Sequence, residues 1–158
     1  MTYILQDIKD ICPIIDEELT EVDYGLWSGK KLSILSKNKL WKTVQESPSR
    51  MYFPKGEGIA QMQSRAMTSV HQAVSSKAKG AAVIVSHGDV IKSIVASALG
   101  MHLDEFQRIV IDPASISILD YSTMKPRVLL LNDSRAVVTD LLVAPKRAKN
   151  LLGGGSGR

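Results

Sequence analysis

The apolar positions of this chain change period several times, and each change predicts an element. Ile4, Leu5, Ile8 and Ile11 fall on one face of a short helix over residues 2–11. Pro13 stops it, and "PIID" reads as a short extended piece. "ELTEVDYGLWSGKKL" carries turn signals at Gly25 and Gly29 and reads as an ordered loop. One or two helices are expected over residues 30–46. Ile59, Met62, Ala66, Val70 and Ala73 then recur at helical spacing within residues 57–76, and Gly80 closes that segment.

The run "AAVIV" at residues 81–85 breaks the helical period. Five consecutive apolar residues suit a strand covered on both faces. After Ser86, His87 and Gly88, Asp89 stands where a helix N-cap belongs. Ile91, Ile94, Val95 and Ala98 follow at i, i+3, i+4 and i+7, and Gly100 is placed just past the helix end. "LDEFQRIV" predicts a short helix, and "SISILDY" and "RVLLLN" predict two strands. The class is therefore α/β, with one domain over residues 1–144 and a flexible tail, ending "GGGSGR", over residues 145–158.

Composition narrows the picture only a little. A chain of 158 residues, 44% hydrophobic and 23% charged, is ordinary for one soluble domain with a sizeable core. The net charge of +4 gathers partly at Lys30, Lys31, Lys37, Lys39 and Lys42. Such a run can attract an anion or a nucleic acid. A solvated helix face is the commoner reason, no aromatic-rich motif accompanies it, and nucleic acid is not expected as a partner. Cys12 is the only cysteine, which excludes an intramolecular disulfide and fits a reducing compartment. No apolar run reaches the length of a membrane span, and the start lacks a basic segment leading into an apolar core. The expected location is cytoplasmic, with no membrane partner.

The candidate chemistry centres on His87. In open α/β sheets, ligands sit beyond the carboxyl ends of the strands, where His87 is expected. Gly88 lets a ligand approach the backbone, and the N–H groups opening the next helix favour an anion. A histidine in that setting can donate to phosphoryl oxygens or attack phosphorus. The tripeptide alone is equally compatible with a capping or packed histidine. His71, in mid-helix, and His102, in a turn, read as surface residues. Three scattered histidines and one cysteine give no metal-ligand spacing, so no metal is expected.

Three segments taken in order are more specific: "LTEVDYGLWSG", "FPKGEGIAQMQSRA" and "VIVSHGDVIKSIVASALG". Together they resemble the histidine phosphatase superfamily, in its phosphoglycerate-mutase-like branch, over residues 13–132. The resemblance implies a three-layer sandwich with a mainly parallel central sheet. It implies phosphomonoester hydrolysis or phosphoryl transfer through a phosphohistidine, on a phosphorylated small molecule, with no metal or organic cofactor. Glu21 matches the proton donor to the leaving group, and His87 the histidine that stabilises the transferring phosphoryl group. Tyr24, Gly88 and Asp89 match positions that frame or bind substrate, although helix capping explains Asp89 equally well. Trp27 reads as core or pocket wall. Glu57 matches the glutamate of a Pro–Gly–Gly–Glu–Ser segment that here reads "PKGEG", with Lys55 and Gly58 as departures. Arg65 could reach a pocket, but one half of an ion pair on the helix surface is the commoner reading.

The family's nucleophile lies in an Arg-His-Gly motif, which these 158 residues do not contain. The resemblance places the family's first strand, first helix and second strand, about 50–70 residues, ahead of Met1. The chain is therefore expected to lack turnover alone. It is also expected to expose strand edges and apolar faces that favour a homo-oligomer. The alternative is a non-catalytic phospho-ligand-binding or regulatory module.

Overall fold

The computed structural model describes residues 13–76 and 81–134. Four α-helices form in this span: α1 (Leu32–Leu35), α2 (Trp41–Glu46), α3 (Ile59–Ser75) and α4 (Gly88–Ala98). Two strands, β1 (Ile116–Asp120) and β2 (Arg127–Asp133), pair as an antiparallel hairpin. Short 3-10 turns at Glu17–Leu19, Gly25–Trp27, Pro48–Arg50 and Leu103–Arg108 join these pieces.

The core lies where α3 and α4 pack together. Ile59, Met62, Ala66 and Val70 supply the α3 stripe, and Val90, Ile94 and Val95 answer it from α4. Met51, Phe53, Phe106, Ile109 and Ile111 extend the same cluster. The loop joins it through aromatic rings: Trp27 stacks on Trp41 at 6.3 Å and meets Phe53 edge-on at 5.3 Å. Gly58 occupies the N-cap of α3, its N–H donating to Gln61 Oε1 at 3.0 Å. Helix α4 ends in a Schellman arrangement: Gly100, at φ 65°, donates to Ser97 O, and Met101 donates to Ala96 O.

Several expectations are corrected. Residues 81–85 make no strand pairing among the described residues, and their side chains face solvent. Val83 is 84% exposed, where a strand covered on both faces requires burial. An apolar run becomes a strand only when a neighbour takes its N–H and C=O groups. No such neighbour is present among the described residues. For the same reason no mainly parallel sheet is seen; the one sheet among the described residues is the two-stranded antiparallel hairpin. His87, not Asp89, holds the N-cap position of α4. The helix over residues 2–11, the stop at Gly80 and the tail over residues 145–158 lie outside the described residues.

Candidate active site

Glu21 sits in the loop between the turn at Glu17–Leu19 and the turn at Gly25–Trp27. Two glycines let this loop lie backbone to backbone on the segment before α3. A Cβ on Gly25, itself at φ 51°, would meet Pro54 O at 2.3 Å, and a Cβ on Gly56 would meet Asp23 O at 2.2 Å. Only glycine permits that approach. Leu26 N–H donates to Pro54 O and Glu57 N–H to Asp23 O across the same seam.

A charged brace then fixes the loop. The Arg65 guanidinium, projecting from α3, donates to Glu57 Oε1 at 2.7 Å and Oε2 at 3.0 Å. It also donates to the backbone carbonyls of Glu18 at 2.6 Å and Glu21 at 3.1 Å. Glu57 Oε1 accepts the Asp23 N–H at 2.9 Å. Arg65 and Glu57 are 18% and 19% exposed, so the ion pair expected at the helix surface forms as a partly buried brace. Burial pushes the Glu57 carboxyl up. The Arg65 hydrogen bond, the Asp23 amide and the Arg65 charge outweigh it and hold the group below its ordinary value. The Glu57 hydrogen bond, in turn, raises Arg65.

The loop meets the start of α4. His87 Nδ1 lies 3.8 Å from Glu21 Oε2, and both side chains remain partly open to solvent. Ser86 Oγ donates to Leu19 O at 2.7 Å and ties the segment carrying His87 to the loop. Tyr24 packs edge-on against Phe53 at 5.1 Å and donates its hydroxyl to Asp89 Oδ2 at 3.1 Å. The other Asp89 oxygen accepts from Lys92 Nζ at 3.2 Å. Gly88 opens α4 with free space where a Cβ would stand, leaving the backbone accessible from that side.

The four polar candidates Glu21, Tyr24, His87 and Asp89 thus converge, with Gly88 beside them. His71 and His102 stay apart and exposed; His102 caps the Leu103–Arg108 turn by accepting the Asp104 N–H. Burial raises the Glu21 carboxyl, and the Asp89 charge adds to it. The Val22 amide at 3.0 Å and the charges of His87 and Lys92 oppose without cancelling. The Tyr24 hydroxyl is pushed far up, first by burial and then by the charges of Asp89 and Glu21, so it stays protonated and donating. The site therefore offers a carboxyl with a raised pKa, an imidazole beside it, and the N–H groups of a helix start. Lys92, 1% exposed, was missed by the sequence reading. Its only sequence signal is the i, i+3 spacing from Asp89, which puts the two on one helix face.

The sequence model of the histidine phosphatase superfamily (branch 1) matches residues 2–134. Phosphoserine phosphatase 1 of Hydrogenobacter thermophilus is 23% identical over 130 residues, 81% of this chain and 62% of that protein. The probable phosphoglycerate mutase GpmB of Erwinia tasmaniensis is 27% identical over 119 residues, 72% of this chain and 55% of that protein. The chain thus spans less than two thirds of the length of either relative. A phosphoserine phosphatase mutant from Entamoeba histolytica, solved in complex with phosphoserine, superposes with a TM-score of 0.71. It is 18% identical, and the match covers 80% of this chain and 64% of that one. The match of the family's sequence model over most of the chain, together with the shared fold, shows that the chain belongs to the histidine phosphatase superfamily, branch 1.

Proposed function

We propose that Glu21, Tyr24, His87, Gly88 and Asp89 form the phosphoryl-binding half of a phosphatase or phosphomutase site. The observation that carries this reading is the 3.8 Å approach of Glu21 to His87, beside the start of α4, from distant parts of the chain. In that geometry the α4 N–H groups and the His87 imidazole hold phosphoryl oxygens, as fixed donors aimed at developing charge. Glu21, its carboxyl raised above the ordinary value by burial, is the group placed to hand a proton to the departing oxygen. As pH rises through the Glu21 value the proton is lost, and turnover should fall on that limb.

The attacking group is a further histidine. Nucleophilic displacement needs a ring nitrogen in line with the leaving oxygen, and His87 flanks the phosphoryl group instead. The Arg-His-Gly motif that supplies this histidine in the family is not among the 158 residues. On this reading the chain alone does not turn over, and a segment carrying Arg-His-Gly completes the site. Phosphorylated small molecules are the proposed substrates, by analogy with relatives named for phosphoserine and phosphoglycerate. A second reading needs only His87 and the N–H groups at the start of α4: the chain binds a phosphorylated ligand without catalysis.

The deciding assay is hydrolysis of a generic phosphomonoester near neutral and mildly acidic pH. It compares the 158-residue chain, its His87→Ala variant and a chain extended by an Arg-His-Gly segment. Turnover should be confined to the extended chain and exceed the others by several orders of magnitude, because such residues act as a unit. Robust turnover by the 158-residue chain, abolished in His87→Ala, would make His87 the nucleophile and overturn the assignment. Phosphate binding without turnover in any form would leave the non-catalytic reading.

A further inference from the structure

The site region holds three acid–base pairings: Arg65 with Glu57, His87 with Glu21, and Lys92 with Asp89. The third differs in burial. Lys92 is 1% exposed, on the covered side of α4 among Val90, Ser93 and Val95, while Asp89 is 19% exposed and reaches up to Tyr24. An ammonium is seldom placed there without a paired anion, because desolvating it is costly.

A phosphoryl group brings its own negative charge to a place where two carboxylates, Glu21 and Asp89, already stand close. Two like charges there would repel it and leave the helix start alone to attract it. We propose that Lys92 is a positioning residue for this site: its buried ammonium offsets part of the Asp89 charge, so that Asp89 clamps the Tyr24 hydroxyl while adding less negative charge to the face that receives a phosphoryl group. The inference rests on the phosphoryl-binding reading above but concerns a residue buried behind Asp89. It works through two links, Lys92 Nζ to Asp89 Oδ1 at 3.2 Å and Tyr24 Oη to Asp89 Oδ2 at 3.1 Å.

The groups whose charge reaches Glu21 are Asp89, His87 and Lys92 on α4 and its leading turn, and Arg65 on α3. Tyr24 adds none, because its hydroxyl stays protonated. Removing the Lys92 charge therefore leaves Glu21 facing an unbalanced Asp89, and its carboxyl should hold its proton to higher pH.

The test uses the full 158-residue chain and two NMR readouts: the titration midpoint of the Glu21 carboxyl, and the dissociation constant of inorganic phosphate from the His87 ring shifts. Lys92→Met should raise the Glu21 midpoint and weaken phosphate about tenfold, the effect of one unit charge a few ångströms away in a partly solvated site. Lys92→Arg should restore both. Should Lys92→Met fail to fold, the step from Asp89→Asn to the double variant Asp89→Asn, Lys92→Met reads the same charge with no anion left unpaired. That step should again raise the Glu21 midpoint. A Glu21 midpoint unmoved by either removal of Lys92 would overturn the proposal. Phosphate that fails to bind the unaltered chain would instead defeat the phosphoryl reading, while the Glu21 titration still decides the role of Lys92.

Discussion

Arg65 is the side chain on which most of the loop geometry depends. It satisfies two carboxylate oxygens and two backbone carbonyls from one planar fork, a task a lysine cannot copy. Arg65→Ala leaves Glu57 partly buried without its cation and should cost about 2–4 kcal/mol in chemical denaturation. Arg65→Lys should recover less than half of that. Glu57 adds a pH dependence. Because its folded value is depressed, the folded state binds that proton less readily than the unfolded chain. The contribution is complete above the ordinary value of 4.5 and is lost as pH falls through it toward the folded value. Denaturation of Glu57→Gln should accordingly show a flatter decline below about pH 5 than the unaltered chain; an equally steep decline would remove Glu57 from the account of acid stability. The acidic and glycine positions of this loop were visible in the sequence. The brace was not, because Arg65 and Glu57 lie eight residues apart and only the turn at "PKGEG" brings the carboxylate back over α3.

At the scale of elements, helices were legible and strands less so. The α3 stripe of Ile59, Met62, Ala66 and Val70 is buried as its spacing predicts, and Gly100 ends α4 as placed. Helical periodicity encodes which face is covered, and the hydrogen bonds are internal to the segment. A strand's are not, so "AAVIV" carries the composition of a buried strand and still forms none among the described residues. Helix α4 also departs from a simple stripe: Lys92 and Ser93 are buried with the apolar residues, and Ile91 is only partly covered. Periodicity reports hydrophobicity, and a lysine buried against Asp89 is invisible to it. The seam between loop and helix is the element-scale feature most open to test. Gly25→Ala would drive a methyl to 2.3 Å from Pro54 O at a left-handed φ, and should destabilise the chain by about 1–3 kcal/mol. The NMR signals of Glu21 and His87 should shift with it, whereas Gly29→Ala, where a Cβ meets nothing within 4 Å, should leave them in place.

For the whole molecule, exposed apolar side chains are the feature most open to test. Ile14 and Ile15 are 91% and 88% exposed, and Val83, Val85, Leu129 and Ile116 are about half exposed or more. Surface of this kind drives association. The 158-residue chain should sediment as an oligomer at high concentration, and Ile14→Lys with Val83→Lys should move it toward monomer; a monomer at every concentration would show that these residues are not sticky in solution. Among the described residues, no helix is long and apolar enough to cross a membrane. The central claim, that Glu21 and His87 bound a phosphoryl site at the start of α4, is tested most directly by titrating the full chain with inorganic phosphate while recording the His87 ring signals. The expected result is a saturable shift at millimolar phosphate, centred on His87 and the Gly88 and Asp89 amides and weakened by salt. Unchanged His87 signals at those concentrations, or shifts confined to the lysines of residues 30–42, would contradict it.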